Sequence, residues 1–497
     1  MEKELYDSYI EILKEELLPA MGCTEPIAVA LAAAIARDTL GCLPERVELF
    51  VSGNIVKNVK SVIVPHTGGL KGLAASASAG IIAGNARKNL EVIADVTAEQ
   101  IAQITQYLEK TPCTVTESNS GCIFDIEVRV FAKGHSATAR IAGHHTNVVY
   151  IEKDKTALLD VGYRDFTEED SVDGSSGNCA SSGDSSPAND ISSADGSPAN
   201  SISSANSSPA NCISSVDGSS ANGTSSDSTQ STASAASHAH GTYKTDRRLL
   251  TVENIVHFAD TVDLSLVHDI IARQIAYNTA IAEEGLRHPY GAEIGRILLA
   301  SYGDSVQNRA KATAAAGSDA RMNGCELPVV INSGSGNQGM TASLPVIVYA
   351  KELNVSEDML YRALIVANLV TIHLKTGIGR LSAYCGATSA GCGAGAGITY
   401  LYGGRYREIS HTIVNAIAIN SGVICDGAKA SCAAKIASSV EAGLLGMQMY
   451  LHGSQFYDGD GIVTKGVENT IRNVGELARE GMRETDKEII HLMMQKV

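Results

Sequence analysis

Val47-Glu48-Leu49-Phe50-Val51 and Val59-Lys60-Ser61-Val62-Ile63-Val64 are the runs on which the fold class turns. Upstream of them, Leu5, Ile12, Leu13, Leu17 and Leu18 recur at helical spacing within residues 5–18, with Glu and Lys between them. Pro19-Ala20-Met21-Gly22-Cys23-Thr24-Glu25-Pro26 breaks that helix. A second helix, almost all Ala, Ile, Leu and Val, runs from about Glu25 to Leu40. Thr24 is its expected N-cap, and Pro26 is tolerated in a first turn. At Val47 the period falls to two and β-branched residues take over, so both runs read as strands. Asn54 to Asn58 then falls between them, as a polar hairpin end or as part of a site. A glycine-rich loop, Pro65 to Gly72, leads into an alanine-rich helix at about 70–86, and a further helix at 97–110 has Thr97 as cap. Strands are expected at 113–117, 122–132, 136–142 and 147–152. This part reads as an α/β segment with a small mixed sheet, ending near residue 165.

From Leu249 the pattern is mostly helical. Apolar periodicity marks segments near 251–259, 265–282, 291–301, 304–315, 356–374, 386–402, 409–423, 427–450 and 466–494. The expected fold class is therefore α+β, with an N-terminal α/β segment (1–165) and a mostly helical C-terminal domain (246–497). Residues 171–241 differ in kind. They contain no Leu, Phe, Lys or Arg, and four eleven-residue units (CASSGDSSPAN at 179–189 and its three successors) repeat within them. With about one large apolar residue per unit they cannot offset their ordering entropy, so a disordered insert is expected. Lengthening a connection to this size costs only about 2 kcal/mol of closure entropy. Cys179 and Cys212 lie in the insert and are set aside.

The totals narrow the function. Among 497 residues there is no Trp and only 6 Phe, so the core is built from Ala, Ile, Leu, Val and Met. The 47 glycines point to tight helix crossings and backbone-lined pockets. A net charge of −16 argues against nucleic acid or an anionic membrane as partner. There is no signal-peptide pattern and no apolar run of membrane-spanning length, so a cytoplasmic protein is expected. Eleven scattered cysteines favour thiols, metal ligation or catalysis over disulfides.

Two small-residue stretches carry candidate ligands: Leu381-Ser-Ala-Tyr-Cys385-Gly-Ala-Thr-Ser-Ala-Gly-Cys392 and Ser421-Gly-Val-Ile-Cys425-Asp-Gly-Ala-Lys-Ala-Ser-Cys432. Such surroundings give room for a metal cluster or for close helix packing. Cys385, Cys425 and Cys432 are separated by 40 and 7 residues, which fits no ferredoxin or zinc-finger spacing. By spacing, Cys392 serves as well as Cys385, and zinc stays open. Cys23 precedes a buried helix, whose dipole favours a thiolate by only about 0.3–1 kcal/mol. That is under about one pKa unit from a thiol's value of about 8.5, so the dipole alone leaves it protonated. Lys57 and Asn58 are candidate carboxylate ligands. Asn332-Ser333-Gly334-Ser335-Gly336-Asn337-Gln338-Gly339 offers backbone amides to a carboxylate, or is a tight turn between helices. His144-His145 is a polar site pair or a locally satisfied one.

LLPAMGCTEPIAVALAAA (17–34), VKNVKSVIVPHTGGLKG (56–72), AGHHTNVVYIE (142–152), SDARMNGCELPVVINSGSGNQGMTASLPV (318–346), RLSAYCGATSAGCGAGAG (380–397) and SGVICDGAKASCAAKI (421–436) together resemble the L-cysteine desulfidase group of the serine dehydratase-like iron–sulfur family. The resemblance spans nearly everything outside the insert. It implies that Cys385, Cys425 and Cys432 hold a [4Fe-4S] cluster and that Cys23, in GCTEP, abstracts a proton. Cys392 stands where the family does not require cysteine. The implied reaction is β-elimination of L-cysteine to hydrogen sulfide, pyruvate and ammonium, without pyridoxal phosphate. The substrate carboxylate would be held by Ser333, Ser335, Gly336 and Asn337, with Lys57 and Asn58 as further candidates. The expected partner is a small amino acid, and homo-oligomer formation stays open. An L-serine dehydratase with the same cluster is the nearest alternative. A zinc- or thiol-containing scaffold and a redox sensor are the others.

Overall fold

The computed structural model describes residues 1–163, 245–379 and 381–494. The 171–241 insert and its repeats lie outside the described residues. The described residues on either side of it belong to one compact unit.

The chain begins with α1 (Lys3–Glu16), β1 (Pro19–Met21), α2 (Thr24–Leu40), β2 (Arg46–Val51), α3 (Gly53–Val59), α4 (Leu73–Ala83) and α5 (Ala98–Lys110). Strands β3 (Cys113–Glu117), β4 (Asp125–Ala132), β5 (His135–Ala142), β6 (Val148–Lys153) and β7 (Thr156–Asp160) follow. They join β2 in a mixed sheet of order β3-β2-β4-β5-β6-β7, parallel only between β2 and β3. One face of this sheet carries α2. That helix is apolar all round because it lies between the sheet and α4, with no side left for water. Thr97 caps α5 in a full capping box with Gln100.

The second part runs α6 (Val252–Thr261), α7 (His268–Arg287), α8 (Ile294–Tyr302), α9 (Val306–Met322), β8 (Pro328–Val330), α10 (Gly336–Glu352), α11 (Glu357–Ile378) and α12 (Gly386–Leu401). It closes with α13 (Tyr406–Asn420), α14 (Cys432–Leu451), α15 (Val467–Glu476) and α16 (Arg483–Met494). Helix α12 is buried along its length and packs against α10, α11, α13 and α14. Glycine permits this. A Cβ on Gly391 would stand 2.2 Å from the Ser439 carbonyl oxygen of α14. The fold is α+β, with a small mixed sheet in the N-terminal part and helices in the C-terminal part. Among the described residues, no helix is long and apolar enough to cross a membrane.

Several elements differ from expectation. Val59 to Val64 is not a strand. Asn54 to Asn58 is not a hairpin end but lies in helix α3, where Ile55 and Val59, four apart, are both fully buried. Val62 and Val64 are buried too, in a loop closed by an Ile63–Lys71 bridge. Tertiary packing, not a sheet, buries this β-branched run. The N-cap of α2 is Cys23, with Thr24 its first helical residue. Helix α9 continues through Met322, and α14 starts only at Cys432. The expected 466–494 helix is split by a π turn at Leu477–Gly481. Strand β7 was not expected, nor was the two-stranded sheet in which Pro19–Met21 pairs antiparallel with Pro328–Val330. That small sheet sets the geometry of the site, because it holds the Cys23 segment beside the Asn332 loop.

Candidate active site

The residues just after β1 are tied down from several sides. The Ile331 amide donates to the Leu18 carbonyl at 2.9 Å, Thr24 Oγ1 to the Gly334 carbonyl at 2.9 Å, and Arg321 Nε to the Gly22 carbonyl at 2.8 Å. Within 332–336 the Asn332 and Ser335 backbones exchange hydrogen bonds of 3.1 and 3.0 Å around Ser333, whose φ is +49°. The segment is thus a tight turn, and its Ser335 is the N-cap of α10.

A second crossing fixes two of the candidate ligands. The Cys385 amide donates to the Val423 carbonyl at 3.0 Å, and the Cys425 amide to the Ala383 carbonyl at 2.6 Å. Cys385 is the N-cap of α12 and Cys432 the first residue of α14. Gly427 has φ +93°, and a Cβ there would stand 2.4 Å from the Lys57 carbonyl oxygen. Only glycine lets this loop lie on α3.

These constraints enclose one cavity of about 110 Å3. Cys23, Lys57, Asn58, Ser333, Ser335, Asn337, Cys385, Cys425 and Cys432 all line it. Gly336 does not; it lies against the Arg321 side chain, where a Cβ would stand 2.4 Å from Nε. Cys392 is buried in the apolar core and is also absent from the wall. Four helices, α2, α10, α12 and α14, present their N-terminal ends to this cavity. Helix N-termini carry partial positive charge and unpaired amides, a setting that favours anions.

Cys23 is 2% exposed and donates from Sγ to Glu25 Oε2 at 3.1 Å. Burial first, and the Glu25 charge second, push its thiol well above the usual range. The helix end does not overcome this, so Cys23 rests as a thiol. Glu25 also accepts from Thr24 Oγ1 and Asn58 Nδ2, each at 3.1 Å, and its Oε1 lies 3.9 Å from His145 Nε2. Burial raises the Glu25 pKa, but His145, the Cys23 hydrogen bond and the Arg321 charge outweigh it and hold the group at about 2. His145 stacks edge-on against Phe124 at 4.7 Å.

The cations divide into engaged and unengaged. Lys57 Nζ bonds Asp486 Oδ1 at 2.5 Å, and Asn54 Nδ2 reaches the other carboxylate oxygen at 2.8 Å. Arg321 bonds the Asn337 Oδ1 at 3.1 Å besides Gly22. Lys375, on α11, is 5% exposed and has no hydrogen-bond or ion-pair partner among the described residues. Burial pushes its ammonium down to about 8 against the opposing influence of Cys425 and Cys385.

Sequence reasoning did not single out Glu25, Arg321, Gln338 or Lys375 as wall residues. Lys375 had a readable signal, as a lone charge amid the apolar run of α11. Arg321 and Gln338 lay inside stretches already marked, without a period to separate them from their neighbours.

A family model described as serine dehydratase alpha chain matches residues 87–491. The chain belongs to the serine dehydratase alpha chain family. Membership makes it a lyase of the dehydratase type, in a family generally associated with iron–sulfur centres. It is 50% identical to a UPF0597 protein of Desulfitobacterium hafniense, over 99% of this chain and 97% of that protein. A UPF0597 protein of Lachnoclostridium phytofermentans is 44% identical over 99% and 100%. One of Treponema denticola is 40% identical over 100% and 99%. These names specify no substrate.

The donor set suits the iron–sulfur centre of this family. Cys385, from one segment, and Cys425 and Cys432, from another, come onto one wall. Burial, and then the Cys425 charge, push the Cys385 thiol up to about 12, and burial also raises Cys432. Three thiolates here call for a cationic group to bind. Among the described residues no three His, Cys, Asp or Glu side chains stand close enough to hold a single metal ion. Cys385, Cys425 and Cys432 are the wall residues that would hold the iron–sulfur centre.

Proposed function

We propose that this cavity performs β-elimination on L-cysteine, giving hydrogen sulfide, pyruvate and ammonium without pyridoxal phosphate. The observation that carries the reading is the meeting of Cys23 with Cys385, Cys425 and Cys432 on the wall of one small cavity at four helix N-termini. Cys385, Cys425 and Cys432 would hold a [4Fe-4S] cluster, whose iron without a protein ligand supplies a Lewis acid for the departing sulfur.

The chain's own groups do the rest. The turn at Ser333, Ser335 and Asn337 offers the start of α10 to the substrate carboxylate. Lys57 and Asn58 frame the substrate, each through a second residue. Lys57 fixes α16 through Asp486, and Asn58 fixes the Glu25 carboxylate. Cys23 takes the α-proton on Sγ as the thiolate, its own proton having left to solvent, and Glu25 Oε2, 3.1 Å away, orients the sulfur. A carboxylate held at about 2 is too weak a base to take the proton of so raised a thiol, and it is the Arg321 charge that favours the thiolate. The electron pair of the Cα–H bond forms the Cα–Cβ double bond, and the Cβ–S pair leaves with sulfur. The aminoacrylate released then hydrolyses to pyruvate and ammonium.

The family description favours a second reading, in which the leaving group is the hydroxyl of L-serine. Turnover of L-cysteine and L-serine by the anaerobically reconstituted full chain separates the two. Faster sulfide release from L-cysteine is expected, and faster pyruvate formation from L-serine overturns the first reading.

A further inference from the structure

The cavity wall carries polar atoms that the fold leaves unmatched, and their signs differ. Arg321 has Nε on the Gly22 carbonyl and one terminal nitrogen on Asn337 Oδ1, while its other terminal nitrogen is buried without a partner. The guanidinium is thereby fixed in orientation with one terminal nitrogen left unmatched. Lys375, only 5% exposed, too has no partner among the described residues. Lys57 offers no comparable freedom, because Asp486 already holds it. A third unmatched atom is an acceptor. Asn58 Oδ1 is buried and unpaired, and its orientation is set because Nδ2 donates to Glu25.

Burying an unpaired cation costs several kcal/mol, so two such donors on one small wall imply an anion that is part of the working site. Two donors and one acceptor match the two ends of a zwitterion. We infer that Lys375 and the unmatched Arg321 nitrogen receive the α-carboxylate of the substrate together with the start of α10, while Asn58 Oδ1 accepts from its α-ammonium. The wall thereby selects α-amino acids over the corresponding amines and amides. This rests on the elimination reading for its substrate class, and it adds Lys375 and Arg321 to the groups which that reading uses.

The competing role for Lys375 is to balance the charge of the three cysteine thiolates, and the test separates the two. The full chain, unaltered and as Lys375→Gln, is reconstituted anaerobically and given L-cysteine or L-cysteinamide, in which a neutral amide replaces the carboxylate. Losing one partner of a buried charge pair predicts a fall of about 100-fold or more in kcat/KM for L-cysteine, mostly in KM, with L-cysteinamide little changed. Lys375→Arg, which keeps the charge, restores part of the loss. Equal losses on both compounds, or a fall in bound iron in Lys375→Gln, overturn the inference. Calorimetric binding of L-alanine and L-alaninamide gives a readout free of turnover, since neither has a leaving group. L-Alanine is expected to bind the unaltered chain better than L-alaninamide does, and Lys375→Gln is expected to remove that preference. No preference in the unaltered chain overturns the inference. If the preference is found but neither L-cysteine nor L-serine is consumed, the elimination reading fails and the carboxylate assignment stands.

Discussion

Asp319 gives a sharp test of the energetics, because one buried carboxyl carries a pH dependence whose sign and size follow from its surroundings. It lies in α9, 1% exposed, and its Oδ2 receives a 3.4 Å bond from the Gly295 amide at the start of α8. Its Oδ1 has no partner. Burial raises the pKa from 3.8 to about 6, against the smaller opposing effect of the backbone amides around Gly295. Below pH 3.8 the folded and unfolded chains both hold the proton and the group has no effect on stability. Between there and about 6 the unfolded chain loses its proton first, so folding becomes less favourable as pH rises. Above about 6 the folded chain must keep a buried charge. About two units at 1.36 kcal/mol each make the cost about 3 kcal/mol. Asp319→Asn removes the charge and keeps an acceptor for Gly295. The variant is expected to match the unaltered protein near pH 4 and to exceed it by up to about 3 kcal/mol at pH 8. Urea unfolding of both proteins across that range measures the difference, in which titrations common to the two cancel. A difference that does not change with pH, or a variant that is less stable at pH 8, refutes the reasoning.

Glu25→Gln keeps the shape beside Cys23 but removes a charge that raises its thiol, so the pH at which kcat rises is expected to fall, with bound iron unchanged. An unchanged pH profile of kcat sinks the Cys23–Glu25 couple. Asp486→Ala leaves the buried Lys57 ammonium without its counter-ion, and a loss of about 3–5 kcal/mol in stability is expected from denaturant unfolding. A loss under about 1 kcal/mol would mean the pair behaves like an exposed one. Gly427→Ala forces a Cβ against the Lys57 carbonyl at a φ of +93°, so the loop carrying Cys425 and Cys432 must shift. Lower iron retention on gel filtration is the expected outcome, and full retention contradicts the close packing described.

The sequence made the helices and the middle of the sheet readable because their apolar residues keep a local period. Thr97 and its capping box, or the alternation of β4, need no information from distant residues. Val59 to Val64 misled because β-branched residues were buried by contacts from elsewhere in the chain, not by strand neighbours. The pairing of Pro19–Met21 with Pro328–Val330 spans three residues on each side, too short for any period to appear. Yet it is what brings Cys23 to the Asn332 turn. The cysteines were visible as residues, but their grouping came from the resemblance, since separations of 40 and 7 match no ligand pattern. Glu25 and Lys375 stood out only as charges on apolar helices, and such a charge looks like an interruption until the cavity it faces is known.

The central claim is that four thiols around one cavity eliminate sulfide from L-cysteine, with Cys23 handling the α-proton. Its most direct test is sulfide and pyruvate release from L-cysteine by the anaerobically reconstituted chain and by Cys23→Ser, with iron measured on the same samples. The account predicts equal amounts of sulfide and pyruvate from the unaltered protein, and iron retained with turnover lost in Cys23→Ser. Full turnover by an iron-loaded Cys23→Ser, or no sulfide from an iron-loaded unaltered chain, contradicts it.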